Sequence, residues 1–225
     1  GELNFARQLV EQARRNHSLE GVVLFVSSAE IQQFFQSAKV PTVVFGSVFP
    51  ENSELAWVDR DQTQIGAVLA DFLVQEGHTK VAALMRERWG FGDNLLLDGV
   101  QQQFAVSGAK TSMRVRSVPA MEEVTLGTIK SLLRCDDVPS ALICRSEKLA
   151  RAAAAAAVEL GIKIPKQLRI VVAENSNLYP CVVPTVSQEE QGRIIGRMLK
   201  QLGQGQKAEP HCVRIPVKFL NPLAS

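Results

Sequence analysis

The sequence predicts an α/β fold in which parallel sheets are covered by helices. Three observations carry this. Apolar runs of strand length, such as Val-Val-Leu-Phe-Val at 22–26 and Ala-Leu-Ile-Cys at 141–144, alternate along the chain with longer amphipathic segments. These runs are continuous rather than period-two, as strands buried on both faces require. Helical segments close on glycine, at Gly77, Gly108, Gly161 and Gly203, which suits a left-handed cap.

The elements follow in order. A helix over 3–15 places Leu3, Ala6, Leu9, Val10 and Ala13 on one face. The run at 21–26 is a strand, 29–38 a short helix and 42–45 the next strand. Trp57-Val58 is a brief strand before a loop at Asp61. Residues 62–76 form a helix with Ile65, Leu69, Phe72 and Leu73 inward, and 81–85 a strand. A helix over 94–107 ends at Gly108, and an alternating strand fills 111–118. Residues 122–134 read as helix and 140–144 as strand. The helix over 146–160 begins at Ser146, a residue type that caps helices. Its Ala152 to Ala157 run forms helix strongly and allows close packing on a sheet. A strand at 169–173, a helix at 187–202 opened by Ser187 and an alternating strand at 211–219 complete the chain. Strand followed by helix, repeated, gives parallel sheets with helical cover.

Composition narrows the function. A length of 225 residues admits one large domain or two small lobes. Hydrophobic residues make up 46%, as in ordinary packed proteins. A net charge of +2 offers no broad basic field for nucleic acid, and 6% aromatic residues offer few stacking platforms. No apolar run approaches the ~20 residues of a membrane helix. The opening Gly1-Glu2-Leu3-Asn4 does not read as a signal peptide.

Chemistry is sparse. Cys135, Cys144, Cys181 and Cys212 form no C-x-x-C pair and are expected to be free thiols in a reducing cytosol, with no metal bound. His17, His78 and His211 are far apart, and His78 suits the dipole of the helix ending at Gly77. Gly90-Phe91-Gly92 lacks the rest of a dinucleotide fingerprint and reads as a mobile loop. Arg7, Arg14 and Arg15 spread around their helix as a solvated face. There is no G-x-S-x-G elbow and no cysteine–histidine pair, so the chain is expected to be neither an enzyme nor a cofactor carrier.

Several motifs recur in a telling order. Val40-Pro-Thr-Val-Val-Phe-Gly46 leads to Val58-Asp59-Arg60-Asp61, five residues before Gly66. Glu76-Gly77-His78-Thr79-Lys80-Val81 then crosses to a strand. Further on come Ser146-Glu147-Lys148-Leu149-Ala150, Leu160-Gly161-Ile162-Lys163-Ile164-Pro165, Leu168-Arg-Ile-Val-Val172 and Pro184-Thr185-Val186-Ser187. In this order and spacing the chain resembles the effector-sensing domain of LacI/GalR-type bacterial transcription regulators, which have a two-lobed, periplasmic-binding-protein-like fold.

The resemblance implies an organisation. Residues 1–77 are expected to form an N-terminal lobe, and 78–183 a C-terminal lobe. Residues 184–225 would hold a hinge crossing, helix and strand shared between lobes, the chain returning to the first lobe after about 186. The N-terminal lobe reads as incomplete, because this family has a strand, helix and strand before the first helix seen here. The DNA-binding head is likewise outside these residues.

The resemblance also implies a function: a cytoplasmic, homodimeric regulator such as a repressor, whose lobes close on a small-molecule effector and so modulate operator binding. The helices at 29–38 and 62–76 are the expected pairing surface. A solute-binding protein of an ABC transporter with the same fold is the alternative. Effector contacts are expected at Asp61, Trp89, Leu96, Arg145, Ser146, Glu174 and Asn175. Asp61 stands where the family places an acid against the effector, and Glu174-Asn175 stands for its paired aspartates. Ser146 replaces the family's asparagine. Leu96 replaces an arginine and removes its hydrogen-bond donors. Arg86, Arg88 or Arg145 would then supply a cation, and Trp89 a ring to stack on the ligand.

Overall fold

The computed structural model describes residues 1–16 and 19–222; His17 lies outside the described residues. The chain divides into two compact units. The first comprises Gly1–Asp61, Gly90–Gly92 and Thr185–Pro216, and the second Gln62–Trp89, Asp93–Pro184 and the chain from Val217.

Among the described residues the first unit holds a four-stranded parallel sheet and three α-helices. In chain order these are α1 (Glu2–Arg15), β1 (Val22–Phe25), α2 (Ala29–Ala38), β2 (Thr42–Phe45), β3 (Ala56–Arg60), α7 (Gln188–Gly203) and β9 (Cys212–Ile215). The strand order is β1-β2-β3-β9, which leaves β1 at one edge. Successive residues of a strand point to opposite faces, and here both faces are covered. Val44 packs with Phe35, Ala6 and Val10 on one side. Its neighbour Val43 packs with Ile195 and Met198 of α7 on the other. That double cover is why β2 is apolar at Val43, Val44 and Phe45. Ser28 caps α2, its Oγ accepting from the Ile31 N–H, and Ser187 caps α7 the same way through Glu190.

The second unit is a six-stranded sheet of β4 (Lys80–Arg86), β5 (Ser112–Val118), β6 (Ala141–Cys144), β7 (Arg169–Val172), β8 (Cys181–Pro184) and β10 (Val217–Leu220). Their order is β10-β8-β7-β6-β4-β5, all parallel except β10. Residues of α3 (Gln62–Gln75) and α4 (Phe91–Val106) join Ala83, Met85, Ile143 and Val171 in one core. Residues of α5 (Glu122–Leu133) and α6 (Glu147–Glu159) join Leu84, Leu142, Ile170 and Val172 in the other. Ala153, Ala156 and Ala157 of α6 are fully buried, so the alanine run does bring this helix close to the sheet.

Glycine closes α3 as the sequence requires. Gly77 takes φ +81°, the Gly77 N–H bonds to the Val74 carbonyl, and the His78 N–H reaches back to Leu73. These reversed bonds satisfy carbonyls that the helix end would otherwise orphan.

Four expectations change. First, α3 belongs to the second unit, so the division falls at Asp61 rather than Gly77; its inward residues Ile65, Leu69 and Leu73 share a core with β4. Second, α4 begins at Phe91, so Phe91-Gly92 opens a helix instead of forming a mobile loop. Third, Cys181–Pro184 is a strand, masked in the sequence by the prolines at 180 and 184. Fourth, the strand expected over 211–219 is two strands. Pro216 has no N–H to give to a ladder and breaks the run. β9 pairs with β3 through Trp57↔Cys212, and β10 pairs with β8 through Val217↔Pro184.

Candidate functional site

In the second unit, the register of β4, β6 and β7 sets Leu84 beside Cys144 and Cys144 beside Val172. The residues that follow these strands therefore emerge side by side at one edge of the sheet. Backbone bonds extend the register one step further, from the Arg145 N–H to Leu84 and from the Ala173 N–H to Cys144. Arg86, Arg145, Ser146, Glu174 and Asn175 all belong to this carboxyl edge. Ligands of open α/β sheets bind at such edges.

Arg145 is buried, 8% exposed. Its Nε donates a hydrogen bond to Oδ1 of Asp93, which is 2% exposed, and its NH2 reaches Gln62 Oε1 at 3.4 Å. Arg86 NH2 approaches the same Asp93 oxygen at 3.5 Å. The first turn of α4 thus carries the acid that neutralises Arg145. A buried charge without such a partner would be costly to fold.

On the neighbouring strand, Glu174 Oε1 accepts a 2.7 Å hydrogen bond from the Glu147 N–H. It thereby satisfies a first-turn donor of α6 and places a negative charge at a helix N-terminus, where the dipole favours it. Ser146 caps the same helix, its Oγ accepting from the Leu149 N–H at 3.4 Å. Hydrogen bonds from Arg151, and then from Ser176, hold the Glu147 carboxyl below the usual carboxylate range. Under this edge Cys144 is fully buried, and burial pushes its thiol far up.

Trp89 follows β4. It is 37% exposed, and its indole Nε1–H donates to Ser117 Oγ at 3.0 Å near the end of β5. Asn175 is exposed. Leu96 does not belong with these residues. It is fully buried in the core shared by α3 and α4, and its carbonyl lies against Gly66. An aliphatic side chain there makes core, not an apolar ligand wall, and this corrects its place among the expected contacts.

In the first unit, Asp61 follows β3, half-buried, with its N–H bonded to the Ile215 carbonyl at 2.8 Å. Asp59, two residues earlier, is buried and accepts from Ser47 Oγ at 2.5 Å and from the Arg60 N–H at 2.8 Å. Gln32 is fully buried. Its Nε2 donates to Ser27 Oγ and the Ser47 carbonyl, and its Oε1 accepts from the Phe49 N–H.

Sequence reasoning missed Asp93, Gln62, Asp59 and Gln32. Asp93 carried one signal, an acid in the first turn of a helix behind Gly90-Phe91-Gly92. The others look like ordinary surface residues until the packing is known. Among the described residues no group of three His, Cys, Asp or Glu side chains is placed to hold a metal ion. No described helix is long and apolar enough to cross a membrane.

Residues 70–221 match the periplasmic binding protein-like domain family. The chain belongs to this family. Among curated members it is similar to catabolite control protein A of Staphylococcus aureus, 23% identical over 192 residues, which cover 83% of this chain and 58% of that protein. The chain thus spans little more than half the length of that relative. Among solved structures it is similar to a LacI-family regulatory protein from Chloroflexus aggregans, with TM-score 0.80, 21% identity, and coverage of 95% of this chain and 80% of that one. It is also similar to a LacI family regulator from Enterococcus faecium with bound ribose, with TM-score 0.75, 17% identity, and coverage of 96% and 82%. The LacI/GalR-type resemblance carried by the motifs agrees with these relatives, and the two-unit α/β architecture is that of the periplasmic-binding-protein-like fold.

Proposed function

We propose that the chain is the effector-sensing domain of a LacI/GalR-type transcription regulator, acting in the cytoplasm as a homodimer. The observation that carries this is the gathering of Arg145, Ser146 and Glu174 at adjoining strand ends of the second unit. Polar groups converging at the carboxyl edge of a parallel sheet suit a small polar ligand. Curated relatives such as catabolite control protein A and the E. coli HTH-type transcriptional regulator AscG support the regulator reading over the transport one. A related structure holds ribose, so sugars are the first ligand class to test.

Effector binding in the full-length protein would change the affinity of paired DNA-binding heads for operator half-sites, since a ligand that favours one state shifts the population toward it. Sugars, nucleosides and small acids are to be screened against the full-length regulator by thermal shift. Each hit is then added to a gel shift with the regulator's own promoter DNA. A ligand that both stabilises the protein and changes its DNA affinity supports the proposal. Absence of any promoter binding, with or without ligand, overturns it.

A further inference from the structure

We propose that Arg86 makes the effector site of the second unit an oxyanion site, which takes a ligand carrying a phosphate or carboxylate group rather than a neutral sugar. This rests on the effector reading above and names the ligand class.

Two guanidinium groups, Arg86 and Arg145, converge on one carboxylate oxygen, Asp93 Oδ1. They do not share it equally. Arg145 donates to it through Nε, while Arg86 NH2 stands at 3.5 Å, the outer limit of a hydrogen bond. One carboxylate thus faces two guanidinium groups, and the cluster keeps a net positive charge.

The second observation is independent of charge. Arg86 Nε is buried and has no hydrogen-bond partner. Buried donors are nearly always satisfied in folded proteins, and one left unmade is destabilising. Yet the side chain as a whole is 42% exposed, so part of it stays open to a ligand. A guanidinium is a planar fork of N–H donors suited to the oxygens of a planar or tetrahedral oxyanion, and among the described residues that of Arg86 meets the protein only through NH2 at the outer limit of a hydrogen bond.

The other acids of this edge do not fill that fork. Glu147 is bonded to Arg151, and Glu174 accepts from the first turn of α6.

The test pairs neutral and anionic probes on the full-length regulator, by thermal shift and calorimetry. Ribose is set against ribose 5-phosphate, and glucose against gluconate, with inorganic phosphate as the minimal oxyanion. Arg86→Gln removes the fork, Arg86→Lys keeps the charge, and Arg193→Gln on the exposed face of α7 serves as a charge control. At least one anionic probe is expected to bind more tightly than its neutral partner. Arg86→Gln should weaken that binding by roughly ten- to a hundred-fold, the effect of losing one charge-assisted hydrogen bond. Arg86→Lys should fall between, and Arg193→Gln should match the parent. The phosphate and carboxylate arms distinguish the two oxyanions. Neutral sugars binding as well as or better than the anionic probes would overturn the inference while leaving the effector reading intact. So would anion binding that Arg86→Gln does not change. A folded protein that no anionic probe stabilises overturns it as well, and the broader screen above then decides the effector reading by itself.

Discussion

The carbonyl oxygen of Leu96 lies directly against the α-carbon of Gly66, so that a Cβ at Gly66 would stand 2.0 Å from it. The contact is reciprocal. A Cβ at Gly99 would stand 2.1 Å from the carbonyl oxygen of Thr63. Gly66 stands three positions after Thr63 on α3, and Gly99 stands three positions after Leu96 on α4. Each helix therefore sets a glycine on the other's backbone, one turn apart. The neighbours are backbone atoms, which cannot rotate away.

Gly66→Ala and Gly99→Ala are accordingly expected to destabilise the protein by about 3 kcal/mol or more each, the upper range for overpacked cores. Urea unfolding measures this. Gly127→Ala is the control: it lies in the interior of α5 with open space around it. There alanine should stabilise by ~0.5–1 kcal/mol, by helix propensity alone. Equal losses at all three positions would show that the close approach is not the cause.

Asp93→Ala strands the Arg145 guanidinium in the interior. Removing one partner of a buried pair typically costs about 3–5 kcal/mol. The double variant Asp93→Leu with Arg145→Met should recover much of that loss, because the only charge it leaves without Asp93 is that of Arg86, which is 42% exposed. Denaturant midpoints of the two single variants and the double one check this.

Stability should fall on mild acidification through His78. Its Nε2 lies 3.7 Å from Glu76 Oε2, and its Nδ1 is 3.0 Å from Ser140 Oγ. Burial lowers the imidazole below its ordinary 6.5; Glu76 opposes this and Arg169 adds to it. The ion pair taken alone would predict the opposite sign, but desolvation is the larger effect. The unfolded chain therefore binds the proton first as pH falls through 6.5, and the folded state loses stability from there down to its own lower pKa. Melting temperatures between pH 7.5 and 5 should decline in the parent and decline less in His78→Gln. A steeper decline in the variant would refute the sign.

Thiol reactivity should separate the four cysteines. Cys144 and Cys181 are buried, Cys135 is intermediate and Cys212 is exposed. Burial raises the thiols of Cys144, Cys181 and Cys212 alike, so access to the reagent rather than thiolate content sets the order. Cys212 is expected to be modified first by a disulfide reagent in native buffer, and Cys144 only on unfolding. Peptide mapping after timed labelling reads the order.

Local pattern made most elements legible. The bounds of α2 and β2 follow from capping serine, apolar run and loop, and the alanine run foretold the tight seat of α6. Tertiary pairing was less legible. Nothing between 211 and 219 says that Pro216 divides a strand of one sheet from a strand of another, because strand partners are set by distant residues. The place of α3 was equally hidden, since its apolar face suits either unit. That Arg145, Ser146 and Glu174 follow strand ends was visible in the sequence. Leu96 was misplaced because position in a motif does not report which side of a helix is buried. Asp93 was overlooked because its burial depends on an arginine 52 residues away.

The pairing of β3 with β9 has a consequence for how the protein is made. Trp57 lies beside Cys212, and nearly all of the second unit is synthesised between them. A nascent chain that has emerged through β3 holds the apolar edge of Val58 with no neighbour on that side until β9 follows. Closing so long a loop is entropically slow, and contacts of high sequence separation form late. The second unit lacks only its edge strand β10 at that point. It is the part able to take shape on the ribosome before β9 emerges and completes the first unit.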